Sequence, residues 1–310
     1  MKVVGVTQFG GPDALAVHEV PDVHAGAGSV RIAVKAFAVN PTDTGVRAGE
    51  RDLSNASSPY VPGMDVAGVI DEVGPDVDGW SVGDEVMAIA LPLTGHGGAY
   101  VEYLVAPVGS FARTPRGTTL EQASTVPMNG LTAIQMLELA GLERGQVLAV
   151  TGAAGLLGNY LVQLAKAAGL TVIADSSEKD EPLVRSLGPD HIVPRGDGFA
   201  DAVKQIVPDG ADAVADCAVQ RDVVVPAVRN GGVFIDVRGW EGNGAAGVRF
   251  ERVFVFAEYR SFDKLERLRH GVEGGTIVPR VAEVLPAERA GEAHERLEAG
   301  GVRGRFVLTW

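Results

Sequence analysis

One cysteine, Cys217, stands in a chain of 310 residues. A single thiol excludes an intramolecular disulfide framework and any zinc site built on several thiolates, and it fits a reducing compartment. Long apolar runs are missing too, since no uninterrupted hydrophobic stretch approaches the ~20 residues needed to cross a bilayer. The opening Met1-Lys-Val-Val-Gly-Val6 carries neither the apolar core nor the small-residue cleavage site of a secretory leader, so a cytoplasmic protein without membrane attachment is expected. Positive charge is scarce: 27 Lys and Arg face 40 Asp and Glu, a formal net charge of −13 that repels polyanions and argues against nucleic acid as a partner. The chain has no Gly-x-Ser-x-Gly elbow, no Gly-Lys-Ser/Thr phosphate loop and no His-Glu-x-x-His zinc helix. Its histidines, His18, His24, His96, His191, His270 and His294, include no i, i+4 pair, which fits surface or hydrogen-bonded histidines better than metal ligands.

What is present begins with Val147-Leu-Ala-Val-Thr151, an apolar strand running into Gly152-Ala-Ala-Gly-Leu-Leu-Gly158 and then an amphipathic stretch to Lys166. That order builds a dinucleotide phosphate site. Gly155 would admit the pyrophosphate to the backbone, Gly158 would let the helix pack on the strand, and the helix start would offer free N–H groups to an anion. Ala153 takes the place of the usual first glycine. Leu170-Thr-Val-Ile-Ala174 follows as a second strand and completes a βαβ unit.

The residues around this unit show two textures. Up to about Arg116, short β segments alternate with Gly, Pro and Asp: Ser29 to Ala36, Val66 to Ile70, Gly83 to Met87 and Ala99 to Val105. This reads as a small β-barrel. From about Thr118, helices and strands alternate: a helix from Gly130 to Leu139, the dinucleotide unit, a helix near Glu181 to Leu187, a strand at His191 to Val193, a helix near Phe199 to Ile206 and a strand at Ala213 to Ala215. A helix near Val223 to Val228, the strand Gly232 to Val237 and a last strand at Val253 to Phe256 complete the expected doubly wound parallel sheet. A charged helix from Asp263 to Gly271 leaves it. Thr276 to Val278, Val281 to Val284, a helix around Glu292 to Leu297 and Phe306 to Trp310 return to β texture. The expected domains are thus 1–118 with 265–310, and 119–264.

Four stretches, in order, resemble the zinc-independent quinone oxidoreductase branch of the medium-chain dehydrogenase/reductase superfamily: Val39-Asn-Pro-Thr-Asp43, Pro62-Gly-Met-Asp-Val-Ala-Gly-Val-Ile70, Gly98-Ala-Tyr-Val-Glu-Tyr103 and Gly152 to Gly158. The ending Arg303-Gly-Arg-Phe-Val-Leu308 is similar to its closing strand, with Arg305 where lysine is common. The resemblance implies a GroES-like barrel joined to a Rossmann domain and an NAD(P)H-dependent enzyme, commonly a homodimer. Zinc relatives carry cysteines near Asn40 and Met128 and a Gly-His-Glu near Gly63-Met-Asp65; this chain has no cysteine before Cys217. No zinc is therefore expected.

Without that Lewis acid the acceptor must spread the incoming charge itself, as a quinone or an α,β-unsaturated carbonyl does. A quinone is the expected acceptor, with an enoyl or alkenal reductase, or a non-catalytic NADPH-binding protein, as alternatives. The resemblance implies that Asn40, Asp43, Tyr60 and Asn129 stand beside the nicotinamide, with Thr132 contacting it. For Asn40 and Asp43 a turn around Pro41 is the competing use. Gly45 replaces a tyrosine present in some members and implies a roomier site. Cofactor contacts are assigned to Gly152, Ala153, Ala154, Gly155, Leu156, Leu157, Gly158, Asp175, Ser176, Ser177, Lys179, Arg195, Cys217, Arg238, Phe254, Phe256 and Arg305. Asp175 closes the second strand about 20 residues past the turn, where a carboxylate binds the ribose of NADH and repels a 2′-phosphate. Ser177, Lys179 and Arg195 pull the other way, and the balance of charge favours NADPH.

Overall fold

The computed structural model describes residues 1–310, which divide into two compact units: Met1–Met128 with Phe256–Gly274 and Pro279–Trp310, and Asn129–Val255 with Gly275–Val278. In the first unit a seven-stranded sheet runs in the order Val281–Pro286, Arg305–Thr309, Ser29–Ala38, Asp65–Val73, Glu85–Ile89 and Phe111–Arg113, with Tyr103–Pro107 also paired to Ser29–Ala38. Ser29–Ala38 is the hub. Val30, Ile32 and Val34 alternate inward, and irregularities in its register with Asp65–Val73, at Arg31/Ile32 and Val34/Ala36, mark bulges that let a long strand curve. Its core is Ile32, Phe37, Ile70, Tyr100 and Phe111, all without exposed surface. The C-terminal strand Arg305–Thr309 lies between Val281–Pro286 and Ser29–Ala38 and brings residues at the end of the chain beside Val39 and Asn40.

The second unit is a six-stranded parallel sheet in the order His191–Pro194, Thr171–Ser176, Val147–Thr151, Ala211–Asp216, Val228–Asp236 and Arg249–Arg252. Helices cover both faces, so its central strands are near-continuous apolar runs. Strand order reverses on either side of Val147–Thr151, and ligands of open α/β sheets bind outside the carboxyl ends at such a point.

Three local expectations do not hold. Val223 to Val228 forms two short 3₁₀ turns, Arg221–Val223 and Val225–Ala227, because Pro226 lacks the N–H an α-helix needs and its β-branched neighbours disfavour one. The last parallel strand is Arg249–Arg252 rather than Val253 to Phe256. The Gln135 amide takes up the Phe254 backbone at 2.8 Å and 3.4 Å, and Val255–Glu258 turns as a 3₁₀ segment. Thr276 to Val278 forms no strand. No helix is long and apolar enough to cross a membrane.

Candidate active site

In the second unit the chain leaves Thr151 through Gly152, whose φ of +67° suits glycine. Gly155 is the N-cap of helix Leu156–Ala167, and no acidic residue occupies the first turn, so the helix's positive end is uncompensated. A Cβ on Gly158 would lie 2.4 Å from the Gly152 carbonyl oxygen, whereas one on Gly155 would meet only that oxygen at 3.2 Å. The helix thus packs on the turn through Gly158, and Gly155 keeps an open face. Leu156 is buried; Ala154 and Leu157 are half-buried beside it.

Asp175, on Thr171–Ser176, has 1% exposure. Its Oδ1 accepts the Ala153 N–H at 2.9 Å, and burial pushes its pKa up. Beyond it Arg195 N donates to the Ser176 carbonyl at 3.0 Å, and Ser177 Oγ donates to Asp180 at 2.6 Å. The Lys179 and Arg195 side chains are exposed and enter no ion pair. Along the same edge Thr151 donates to Asp216 at 2.6 Å, Asp216 accepts the Arg221 N–H at 2.7 Å, and Asp236 accepts those of Arg238 and Trp240 at 2.6 and 2.8 Å. Cys217 is half-exposed, its carbonyl against Gly152 and its sulfur 4.0 Å from Met136. Asn129 and Thr132 are buried on helix Pro127–Ala140, and Phe254 is 62% exposed. Phe256 is half-buried and belongs to the first unit.

In the first unit Asn40 caps helix Pro41–Ala48, its backbone N–H donating to Asp43 Oδ2 at 2.8 Å. Neither side chain has exposed surface, and the Asn40 N–H to Asp43 bond makes the turn contact around Pro41. Asn40 Nδ2 donates to Asp65 Oδ2 at 2.7 Å, Met128 N donates to Asp65 Oδ1 at 2.6 Å, and Arg305 Nε donates to Asn40 Oδ1 at 2.9 Å. Arg305, a residue expected at the cofactor, thus takes part in this network. Tyr100 donates to Asp43 Oδ2 at 3.1 Å and meets His294 Nε2 at 3.0 Å; Arg47 approaches His294 Nδ1 at 3.4 Å and pairs with Glu298 at 2.7 Å. Burial raises Asp43 and Asp65 to about 7, and burial next to Arg47 lowers His294 to about 3. Tyr60 is half-buried, its ring tilted against that of Phe9 with centroids 4.8 Å apart. Over Gly45 lie the Arg51 and Glu50 side chains, with Arg51 Nε 3.3 Å from where a Cβ would stand.

Zinc does not fit this donor set. Asn40, Asp65 and Met128, at the positions where zinc relatives carry ligands, are bonded to one another, and no three His, Cys, Asp or Glu residues group to hold a metal. Sequence reasoning missed Arg47, Tyr100 and His294 as network members; Tyr100 and Asp65 lay inside quoted motifs, but nothing local marked His294.

The chain matches the alcohol dehydrogenase GroES-like domain over residues 26–116 and the zinc-binding dehydrogenase family over 187–308. It is 30% identical to the NADPH-dependent alkenal/one oxidoreductase of Arabidopsis thaliana over 99% of this chain and 79% of that protein. Against the quinone oxidoreductase of Mus musculus identity is 29%, covering 99% and 97%. A mycobacterial protein solved in complex with NADPH superposes with a TM-score of 0.87 at 28% identity, covering 100% of both chains. The chain belongs to the medium-chain dehydrogenase/reductase superfamily, with quinone oxidoreductases among its relatives, and is an oxidoreductase.

Proposed function

We propose that the protein reduces a conjugated carbonyl acceptor, most naturally a quinone, with NADPH and without zinc. The observation that carries the cofactor reading is the pairing of two exposed, unpaired cations, Lys179 and Arg195, with a carboxylate, Asp175, withdrawn beneath the glycine turn. The turn from Gly152 to Gly158 would hold the pyrophosphate, and Ser177, Lys179 and Arg195 the 2′-phosphate. Bound NADPH supplies hydride. The protein's own part is orientation: Asn129 and Thr132 are the groups we assign to the nicotinamide and Tyr60 to the acceptor, while Asn40, Asp43, Asp65 and Arg305 belong to the buried network of the first unit. With no Lewis acid, a conjugated acceptor suits the site because it delocalises negative charge. An alkenal or enone is the second reading, supported by the alkenal/one oxidoreductase relative. A cytoplasmic homodimer belongs to the same reading.

Changing Lys179 and Arg195 together to alanine weakens NADPH binding at least about tenfold, the equivalent of 1.4 kcal/mol, and hardly alters NADH. Fluorescence titration of both cofactors reads it. A wild-type protein that prefers NADH, and that admits NADPH only after Asp175→Ala, overturns the assignment.

A further inference from the structure

We infer that Asp175 is a positioning residue for dinucleotide binding: its carboxylate holds the glycine turn in shape through the Ala153 N–H instead of reading the ribose. The inference rests on the reading of that turn as the phosphate site.

Three carboxylates line the carboxyl edge of the parallel sheet, and each accepts backbone N–H groups from a loop. Asp216 and Asp236 hold the loops that follow their own strands, at Arg221 and at Arg238 and Trp240. Asp175 differs. It reaches across to the loop of the neighbouring strand, where Val150 pairs with Ala174 and the Ala153 N–H meets Oδ1 at 2.9 Å. The turn is also closed by the Gly155 N–H, which donates to the Gly152 carbonyl at 2.9 Å, with Gly158 packed beneath that carbonyl. Ala153, with no exposed surface, takes its N–H partner from Asp175 alone among side chains.

The carboxylate is 1% exposed and its other oxygen, Oδ2, is buried without a partner. A ribose-binding carboxylate presents an oxygen outward to two hydroxyls; this one spends its outward reach on the turn. Burial opposes its charged form, while the backbone N–H groups of Gly152 and Ala153 and, more weakly, the Arg195 cation favour it. What the turn requires from position 175 is an acceptor of the right length, not a charge.

Two variants separate the roles. Asp175→Asn keeps an acceptor oxygen and removes the charge; Asp175→Ala removes both. Affinities for NADPH and NADH, from fluorescence titration, are measured with amide hydrogen exchange at Ala153 in the cofactor-free protein. We expect Asp175→Ala to weaken both cofactors at least about tenfold with the NADPH/NADH ratio unchanged within about threefold, the scale of leaving one buried N–H without its acceptor. Protection of the Ala153 amide falls in the same variant. Asp175→Asn restores both protection and affinity to within about threefold. Undiminished affinity in Asp175→Ala, or a ratio that swings toward NADPH in either variant, overturns the inference. If the wild type binds neither dinucleotide, the functional reading fails instead, and Ala153 exchange still tests the clamp.

Discussion

Replacing Gly158 by alanine places a methyl carbon 2.4 Å from the Gly152 carbonyl oxygen and 2.8 Å from both Ala153 Cα and the Gly152 carbonyl carbon. All three are backbone atoms, so no rotamer change relieves the clash. Helix Leu156–Ala167 has to move away from strand Val147–Thr151 by on the order of 1 Å to restore ordinary contact, loosening the packing of Leu156, Tyr160 and Leu161. Overpacking of this kind costs about 1–3 kcal/mol, which lowers the melting temperature by roughly 2–5 °C in a protein of this size. Gly155→Ala is the control. Its Cβ meets only the Gly152 oxygen at 3.2 Å, and its φ of −76° suits any residue, so the fold tolerates it. The added methyl stands instead on the open face of the turn, and dinucleotide affinity falls at least about tenfold. Calorimetric melting of the cofactor-free proteins, paired with NADPH titration, reads both effects. A Gly158→Ala protein that melts and binds like wild type refutes the packing argument; a Gly155→Ala protein that melts many degrees lower refutes the division of roles.

His294 is held neutral to about pH 3 by burial beside Arg47, while an unfolded histidine protonates near 6.5. Its contribution to stability is complete above about pH 6.5 and is lost as pH falls toward 3, because the unfolded chain then binds the extra proton. His294→Gln removes about one proton from the pH dependence of the urea midpoint in that window, and unchanged slopes contradict the assignment. Arg305→Met deprives Asn40 Oδ1 of its donor and Asp43 and Asp65 of a neighbouring cation, and is expected to cost about 3 kcal/mol by chemical denaturation; a loss below about 1 kcal/mol contradicts it. Elemental analysis is expected to find no stoichiometric zinc, and one zinc per chain overturns the metal-free reading.

The dinucleotide unit was legible because its signals are local: an apolar strand, glycines at fixed spacing and a second strand. The same holds for most of the parallel sheet. Where the reading failed, a nearby residue outweighed the apolar pattern, as Pro226 did for the expected helix and Gln135 for the strand expected through Phe254. The buried network was hidden by distance along the chain. Tyr100 meets His294 across 194 positions and Arg305 meets Asn40 across 265, so no window contains both partners. Asn40 and Asp43 illustrate a different limit: one short motif is open both to a turn contact and to a site role, and only the structure shows the turn contact and its burial.

Metal-free reduction of a conjugated acceptor by NADPH is open to a single decisive assay. It is tested most directly by following NADPH absorbance with chelator-treated protein, of verified zinc content, against a panel of quinones, alkenals and enones. Turnover with at least one of them at the rate of untreated protein is expected. No turnover with any acceptor, or turnover that returns only when zinc is added, contradicts it.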